Sequence, residues 1–257
     1  MRFSTTKGHY GEGGPVVRLV GLGGLAAGAL LLGGCDAVFA SYLGFDPPCS
    51  AADPELVLCL PFDGSATDLS KNAFTATAPP ALRFEPGRIR EAAVFGRDVL
   101  FTLPDHPAWA VPGFTFAAWI RPDELPMEPA MRFGLLDRSG RFGIFLYPSP
   151  DAPGELTLTC ALNSDRAFGP HIPLHTFSHV ACSTDRSTMA FYLNGQLVRR
   201  DPFPSQPGSE VTVLTHLGSS EPEGEARLVG ALDELLFFSG VRTDEQIRRL
   251  YQRGPGG

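Results

Sequence analysis

The chain has 257 residues, with 28 acidic against 21 basic side chains and a net charge of -7 at neutral pH. That length allows one large domain, and the apolar content is sufficient for a sizeable core. No block of basic residues stands out, which argues against a nucleic-acid phosphate backbone as partner, and acidity by itself chiefly keeps a surface soluble.

The chain opens with Arg2, Lys7 and Arg18 against the single acid Glu12, followed by the uncharged stretch "LVGLGGLAAGALLLGG" at 19–34. It is glycine-rich and shorter than the roughly 20 residues of a spanning helix, so it reads as an export signal. "LLGGC" at 31–35 resembles a bacterial lipobox, with Leu32, two small residues and then Cys35. The resemblance implies that Cys35 is lipidated and becomes the first mature residue. The other reading is a plain secretory signal with an incidental cysteine. Several acyl chains anchor firmly where one holds only marginally. The expected address is therefore the cell envelope, reached through a lipid anchor. Asp36 resembles an inner-membrane retention residue of enteric bacteria, a rule that does not extend to every lineage, so the leaflet stays open.

Setting Cys35 aside leaves Cys49, Cys59, Cys160 and Cys182, an even number that suits an oxidising compartment. Spacing favours Cys49 with Cys59 and Cys160 with Cys182. The second pair is symmetric about His171 in "FGPHIP", which reads as a turn that would bring the two cysteines opposite one another on antiparallel strands. Free buried thiols are the alternative. No pair has zinc-site spacing.

Residues 35–55 read as the lipidated cysteine and a short tether, partly stiffened by Pro47 and Pro48. From residue 56 the pattern is all-β. Short apolar runs occur at 56–62, 91–95, 98–103, 114–120, 142–147, 155–162, 177–183, 188–193, 211–218 and 228–239. In "FTFAAWI" at 114–120 both alternating faces are largely apolar, which marks a covered central strand. Asn194-Gly195 between the run at 188–193 and "QLV" at 196–198 is a strong hairpin signal, because both residues tolerate positive φ. One helix is expected at the end. Thr243 and Gln246 have capping-box spacing, and Ile247, Leu250 and Tyr251 form an apolar stripe. Residues 252–257 read as a loose C-terminus.

Four segments, "LVLCLPFDGSATDLSKN", "GFTFAAWIRP", "FSHVACSTDRSTMAFYLNGQLV" and "LVGALDELLFFSGVRTDEQIRRLY", appear in this order. Together they resemble a LamG-like domain of the concanavalin A-like lectin/glucanase group over about residues 56–251. The resemblance implies a jelly-roll β-sandwich of two antiparallel sheets, about 12 to 14 strands in all, with the short C-terminal helix. It departs from the family at Phe177, where Trp is frequent, and at Lys71, where glycine is common. The fold hosts binding modules and enzymes alike, so it does not by itself give the function.

Asp233 and Glu234 lie side by side in the last strand. Glycosidases need two carboxylates across one bond, and strand neighbours point to opposite faces. The alternating Glu-x-Asp-x-x-Glu arrangement of this group's glucanases is absent. The resemblance implies instead that Asp68, Asn72 and Asp233, with Asp63 as a further candidate, bind one structural calcium ion. The alternative is that Asp233 accepts loop amides and ties the N-terminal loop to the last strand without metal. His175 and His179 are four apart, about 13 Å along a strand, too far to share an ion. No nucleophile elbow or phosphate loop occurs. Trp109 and Tyr147 are candidates for stacking on sugar rings. The expected function is non-catalytic binding of a glycan or an envelope protein. Alternatives are a structural envelope protein without soluble ligand and a glycan-cleaving enzyme of the same fold.

Overall fold

Alternation of apolar side chains and frequent turn residues fold the described residues into fourteen strands and one α-helix. The computed structural model describes residues 49–127, 131–205, 213–220 and 227–253. The expected export signal, Cys35 and residues 254–257 lie outside them. The strands are β1 (Leu56–Leu60), β2 (Arg83–Pro86), β3 (Glu91–Phe95), β4 (Phe101–Leu103), β5 (Phe114–Pro122), β6 (Phe133–Arg138) and β7 (Phe142–Pro148). They continue with β8 (Glu155–Leu162), β9 (Asp165–Pro173), β10 (Ser178–Thr184), β11 (Thr188–Leu193), β12 (Gln196–Pro202), β13 (Thr215–Leu217) and β14 (Gly230–Ser239). Helix α1 (Asp244–Gln252) follows.

The strands form an antiparallel sandwich. One sheet runs β12-β11-β10-β5-β14-β3-β2, with β1 also on β14, and the other runs β4-β13-β6-β7-β8-β9. Between them lies an apolar core in which Phe114, Phe142 and Phe237 stack at centroid distances of 4.7 to 5.8 Å. Each such ring contributes about 1.5–3 kcal/mol by burial. Trp109 belongs here too. It lies face to face with Phe74 at 4.8 Å and donates its indole N–H to the Pro104 carbonyl. It is a core residue and presents no platform to a sugar.

The expected two-faced character of β5 has its cause in a second apolar layer. Phe114, Phe116, Ala118 and Ile120 face the main core. Ala117, on the outer face, is covered with Leu56, Cys59, Ala181, Tyr192 and Phe238 by Ile247 and Leu250 of α1. The capping box of Thr243 and Gln246 starts this helix as the spacing predicts. Residues 49–55, read from sequence as the end of the tether, are held to the domain. Cys49 is bonded to Cys59, and Arg242 pairs with Asp53 and Glu55 at 2.7 and 2.9 Å.

Cys160 and Cys182 are bonded, but not as opposed neighbours on one sheet. Cys160 in β8 lies between Ile144 and Ala167, and Cys182 in β10 lies between Phe116 and Phe191. The bridge therefore crosses the core and staples one sheet to the other. The segment around His171 is not a turn either. It belongs to β9, an edge strand, where Gly169 and Pro170 cost few ladder hydrogen bonds.

The rule that strand neighbours alternate fails at Asp233 and Glu234. A β-bulge interrupts the β14–β5 register between Asp233 and Leu236, and Glu234 takes φ 49°. Leu232 and Leu235 both face the core, so the two acids between them share the outer side. The bulge falls where the edge of β14 passes from β3, paired to residues 230–232, to β1, paired to 235–238. At that gap Asp233 supplies the missing acceptor: its Oδ2 receives the Arg88 and Ile89 amides of the β2–β3 hairpin at 2.7 and 2.9 Å.

Candidate functional site

A groove of about 390 Å³ lies on the outer face of the six-stranded sheet, within the range of small-ligand sites. Cross-strand register builds it. Asp137, Gly143, Ala161 and Arg166 form one row across β6 to β9. Phe145, Thr159 and Phe168 form the next, and Tyr147, Thr157 and His171 the one after. The inward residues of the same strands, Ile144, Leu146, Leu158 and Cys160, are core. Two small residues lie among these aromatics: Ala161, which leaves space in the groove, and Gly143, which leaves room for the Phe145 ring.

Gly143 is required here. A Cβ at that position would sit 2.2 Å from Cζ of Phe145, whose ring leans over it. The Arg132 guanidinium lies 4.3 Å from the Phe145 ring centroid and 5.9 Å from that of Tyr147. Arg132 and Arg166 both donate to the Tyr147 hydroxyl, at 3.3 and 3.2 Å. Asn163, Ser139, Ser164 and Ser220 add amide and hydroxyl groups to the lining. Phe168, about half exposed, meets the edge of Tyr147 at 6.2 Å. Of the two aromatics expected to contact sugar, Tyr147 is at the site. Arg132, Gly143, Phe145 and Arg166 are functional candidates that reading along the chain missed. Alternation along β7 puts Gly143 and Phe145 on the face of Tyr147, the β8–β9 register adds Arg166, and Arg132 comes from the β5–β6 connection.

The residues expected to hold calcium are each engaged elsewhere. Asp68 Oδ1 accepts the amides of Cys59 and Ser70, and its Oδ2 accepts the Ser70 hydroxyl and the Phe74 amide. A carboxylate has about four lone-pair sites, so this one is saturated. The Asn72 side-chain amide donates to the Val57 carbonyl, and Asp233 serves the hairpin. Lys71 Nζ reaches the Pro54 carbonyl. Asp63 pairs with Arg90 at 3.1 Å. Among the described residues no group of three or more His, Cys, Asp or Glu is arranged to hold a metal. The donor set does not fit a shared cation. Asp68 ties the first loop to β1, whereas Asp233 accepts the Arg88 and Ile89 amides and ties the β2–β3 hairpin, not the N-terminal loop, to β14.

The acid pair faces away from the groove, on the other sheet. Asp233 pairs across β5 with Trp119, itself paired with His179. This row is buried beneath Arg88, 4.9 Å from the Trp119 ring, and Tyr251 of α1, at 5.4 Å. Burial pushes Asp233 up to about 7, against the pull of the two hairpin amides. Burial, then repulsion from Asp233 and Asp63, pushes Glu234 up to about 7. Burial lowers His179 to about 3, so it is a neutral sheet residue. His175 stands in a turn before β10, 3.7 Å from Asp123.

The family model described as "Concanavalin A-like lectin/glucanases superfamily" matches residues 87–248, more than half of the chain. The chain belongs to this superfamily. No curated protein matches it in sequence. Solved structures with the superfamily's jelly-roll sandwich superpose on it at low identity. The binding domain of Paraclostridial Mosquitocidal Protein 1 matches with TM-score 0.61 and 13% identity, over 77% of this chain and 52% of that one. Domain 4 of AbnA, a GH43 extracellular arabinanase from Geobacillus stearothermophilus, was solved in complex with arabinotriose. It matches with TM-score 0.59 and 23% identity, over 77% of this chain and 98% of that one. The binding domain of Botulinum Neurotoxin DC in complex with SialylT gives TM-score 0.59 and 13% identity, over 79% and 52%. The chain thus spans about half the length of the two toxin domains. These likenesses show the jelly-roll fold alone and leave the ligand to be argued from the groove.

Proposed function

We propose that this chain is a non-catalytic binding module that takes a short stretch of glycan into the groove on the six-stranded sheet. The observation that carries this reading is the groove's composition. Ala161 and the Phe145 ring, which covers Gly143, lie beside Tyr147, with arginine, amide and hydroxyl groups converging on the same space. Sugar rings need such a mixture, apolar ring faces with directional donors for their hydroxyls. The arabinotriose complex of a domain with the same fold supports it. Hydrolysis needs two carboxylates about 5 to 9.5 Å apart, and the groove's described lining offers the single acid Asp137. Lipidation of Cys35 would hold the module at the cell envelope. Exposed Leu197 and Val198 on the edge strand β12 favour a second reading, in which the partner is an envelope protein that adds a strand there.

The test is a polysaccharide pull-down with the purified chain, run with wild type and Tyr147→Ala. Retention of wild type on a defined glycan, lost in the variant, is expected. Release of reducing ends or unsaturated sugars would contradict the non-catalytic assignment, and retention of neither protein on any glycan would contradict the binding assignment.

A further inference from the structure

The charges at the groove carry the argument one step further, to the class of glycan. Two guanidinium groups, those of Arg132 and Arg166, converge on one neutral phenol oxygen. Both Nη atoms lie within 3.3 Å of the Tyr147 hydroxyl, close enough to repel each other. Among the described residues neither arginine forms an ion pair. Arg132 has ring faces and the phenol for company, and its buried Nε has no hydrogen-bond partner there. Arg141 also lines the groove, whereas Asp137 is the one acid among the described lining residues. Phe145, seated on Gly143, packs against the Arg132 guanidinium before any ligand arrives.

Like charges held together in a groove are relieved by an anion, and arginine's planar fork matches a flat or tetrahedral oxyanion through paired N–H donors. We propose that the groove selects an anionic saccharide, with Arg132 and Arg166 clamping its carboxylate or sulfate beside the Tyr147 hydroxyl. This rests on the glycan-binding reading. The Tyr147 oxygen accepts from both arginines, and its own O–H remains to donate to the same anionic group or to a neighbouring sugar hydroxyl.

The experiment is calorimetric titration of the purified full chain with four saccharides. These are polygalacturonate, its methyl-esterified form, dextran sulfate and dextran. Binding is expected to polygalacturonate or to dextran sulfate, the pair separating a carboxylate from a sulfate as the recognised group. It is expected to weaken with added salt and to fall at least about tenfold when the charge is removed by esterification or by use of plain dextran. Arg166→Gln is expected to weaken acid binding on the order of tenfold, while Arg166→Lys retains part of it. Arg166 is exposed, so its variants keep the fold, and an unchanged melting temperature verifies that. Equal affinity for the charged and uncharged forms would overturn the anionic class and leave the glycan reading standing. Unchanged acid binding by Arg166→Gln would overturn the clamp. Binding of none of the four would overturn the anionic proposal, while a neutral glycan retained in the pull-down would keep the broader reading.

Discussion

Replacing Glu234 by glutamine should stabilise the protein at alkaline pH and leave it almost unchanged near pH 5. Glu234 sits on the bulge, half-buried, and its pKa is raised from 4.5 to about 7 by burial and by Asp233 and Asp63. A group whose folded pKa is raised holds its proton more tightly in the folded state. Its contribution is therefore complete below the ordinary carboxylate range and is lost as pH rises through about 7. Taken at full value the shift corresponds to about 3 kcal/mol. Partial exposure of the carboxylate screens it, which leaves about 1–2 kcal/mol. Glutamine is neutral throughout, so the variant should melt roughly 3–6 °C above wild type at pH 8.5. His179 acts in the opposite sense. Its folded pKa of about 3 lies below the ordinary value, so stability is lost as pH falls below 6.5. Both proteins share that effect, and the difference between their melting curves from pH 5 to 8.5 isolates Glu234. A difference that does not grow with pH would refute the account of Glu234 as a buried carboxylate repelled by Asp233.

Removing the inter-sheet bridge by Cys160→Ser with Cys182→Ser should cost about 3 kcal/mol from loop entropy, a fall of roughly 6–12 °C in melting temperature, read by circular dichroism. A loss under 2 °C would mean that the core alone fixes the spacing of the sheets. Asp68→Ala leaves the buried amides of Cys59, Ser70 and Phe74 without their carboxylate acceptor, the Ser70 hydroxyl keeping the Val57 carbonyl, and should cost about 3 kcal/mol. Calcium should leave the melting temperature of EDTA-treated wild type unchanged, since that carboxylate is already saturated; a rise would contradict the fit of the site. Cys35→Ala should move the protein from the membrane to the soluble fraction on cell fractionation, and unchanged partitioning would contradict lipidation.

Strands with a clear apolar period were legible because both their faces answer to burial, as in β5 and β14. The strands that escaped reading have physical reasons for it. β2, "RFEP", is a short edge strand with exposed or half-buried side chains, and it carries no alternation. β9 is an edge strand whose Gly169 and Pro170 imitate a turn. β6, "FGLLDR", is buried throughout but bulged between Gly134 and Leu136, which breaks its period. The bulge at Glu234 had no local signal, because glutamate seldom adopts positive φ and does so here only where β14 changes partners. The disulfide pairs were readable from spacing, yet the geometry of Cys160–Cys182 was not, since it depends on which sheet each strand joins. The groove was visible only as Tyr147. Gly143 and Phe145 share its face of β7 by alternation, but Arg166 reaches it only through the β8–β9 register, and Arg132 comes from the β5–β6 connection.

The most direct test of the central claim fills the groove without touching the core. Ala161 forms part of the floor and faces outward from β8. Ala161→Phe should leave the melting temperature within a few degrees of wild type and abolish binding on a glycan array. Undiminished binding by that variant would place the ligand elsewhere on the molecule and contradict the assignment of the groove.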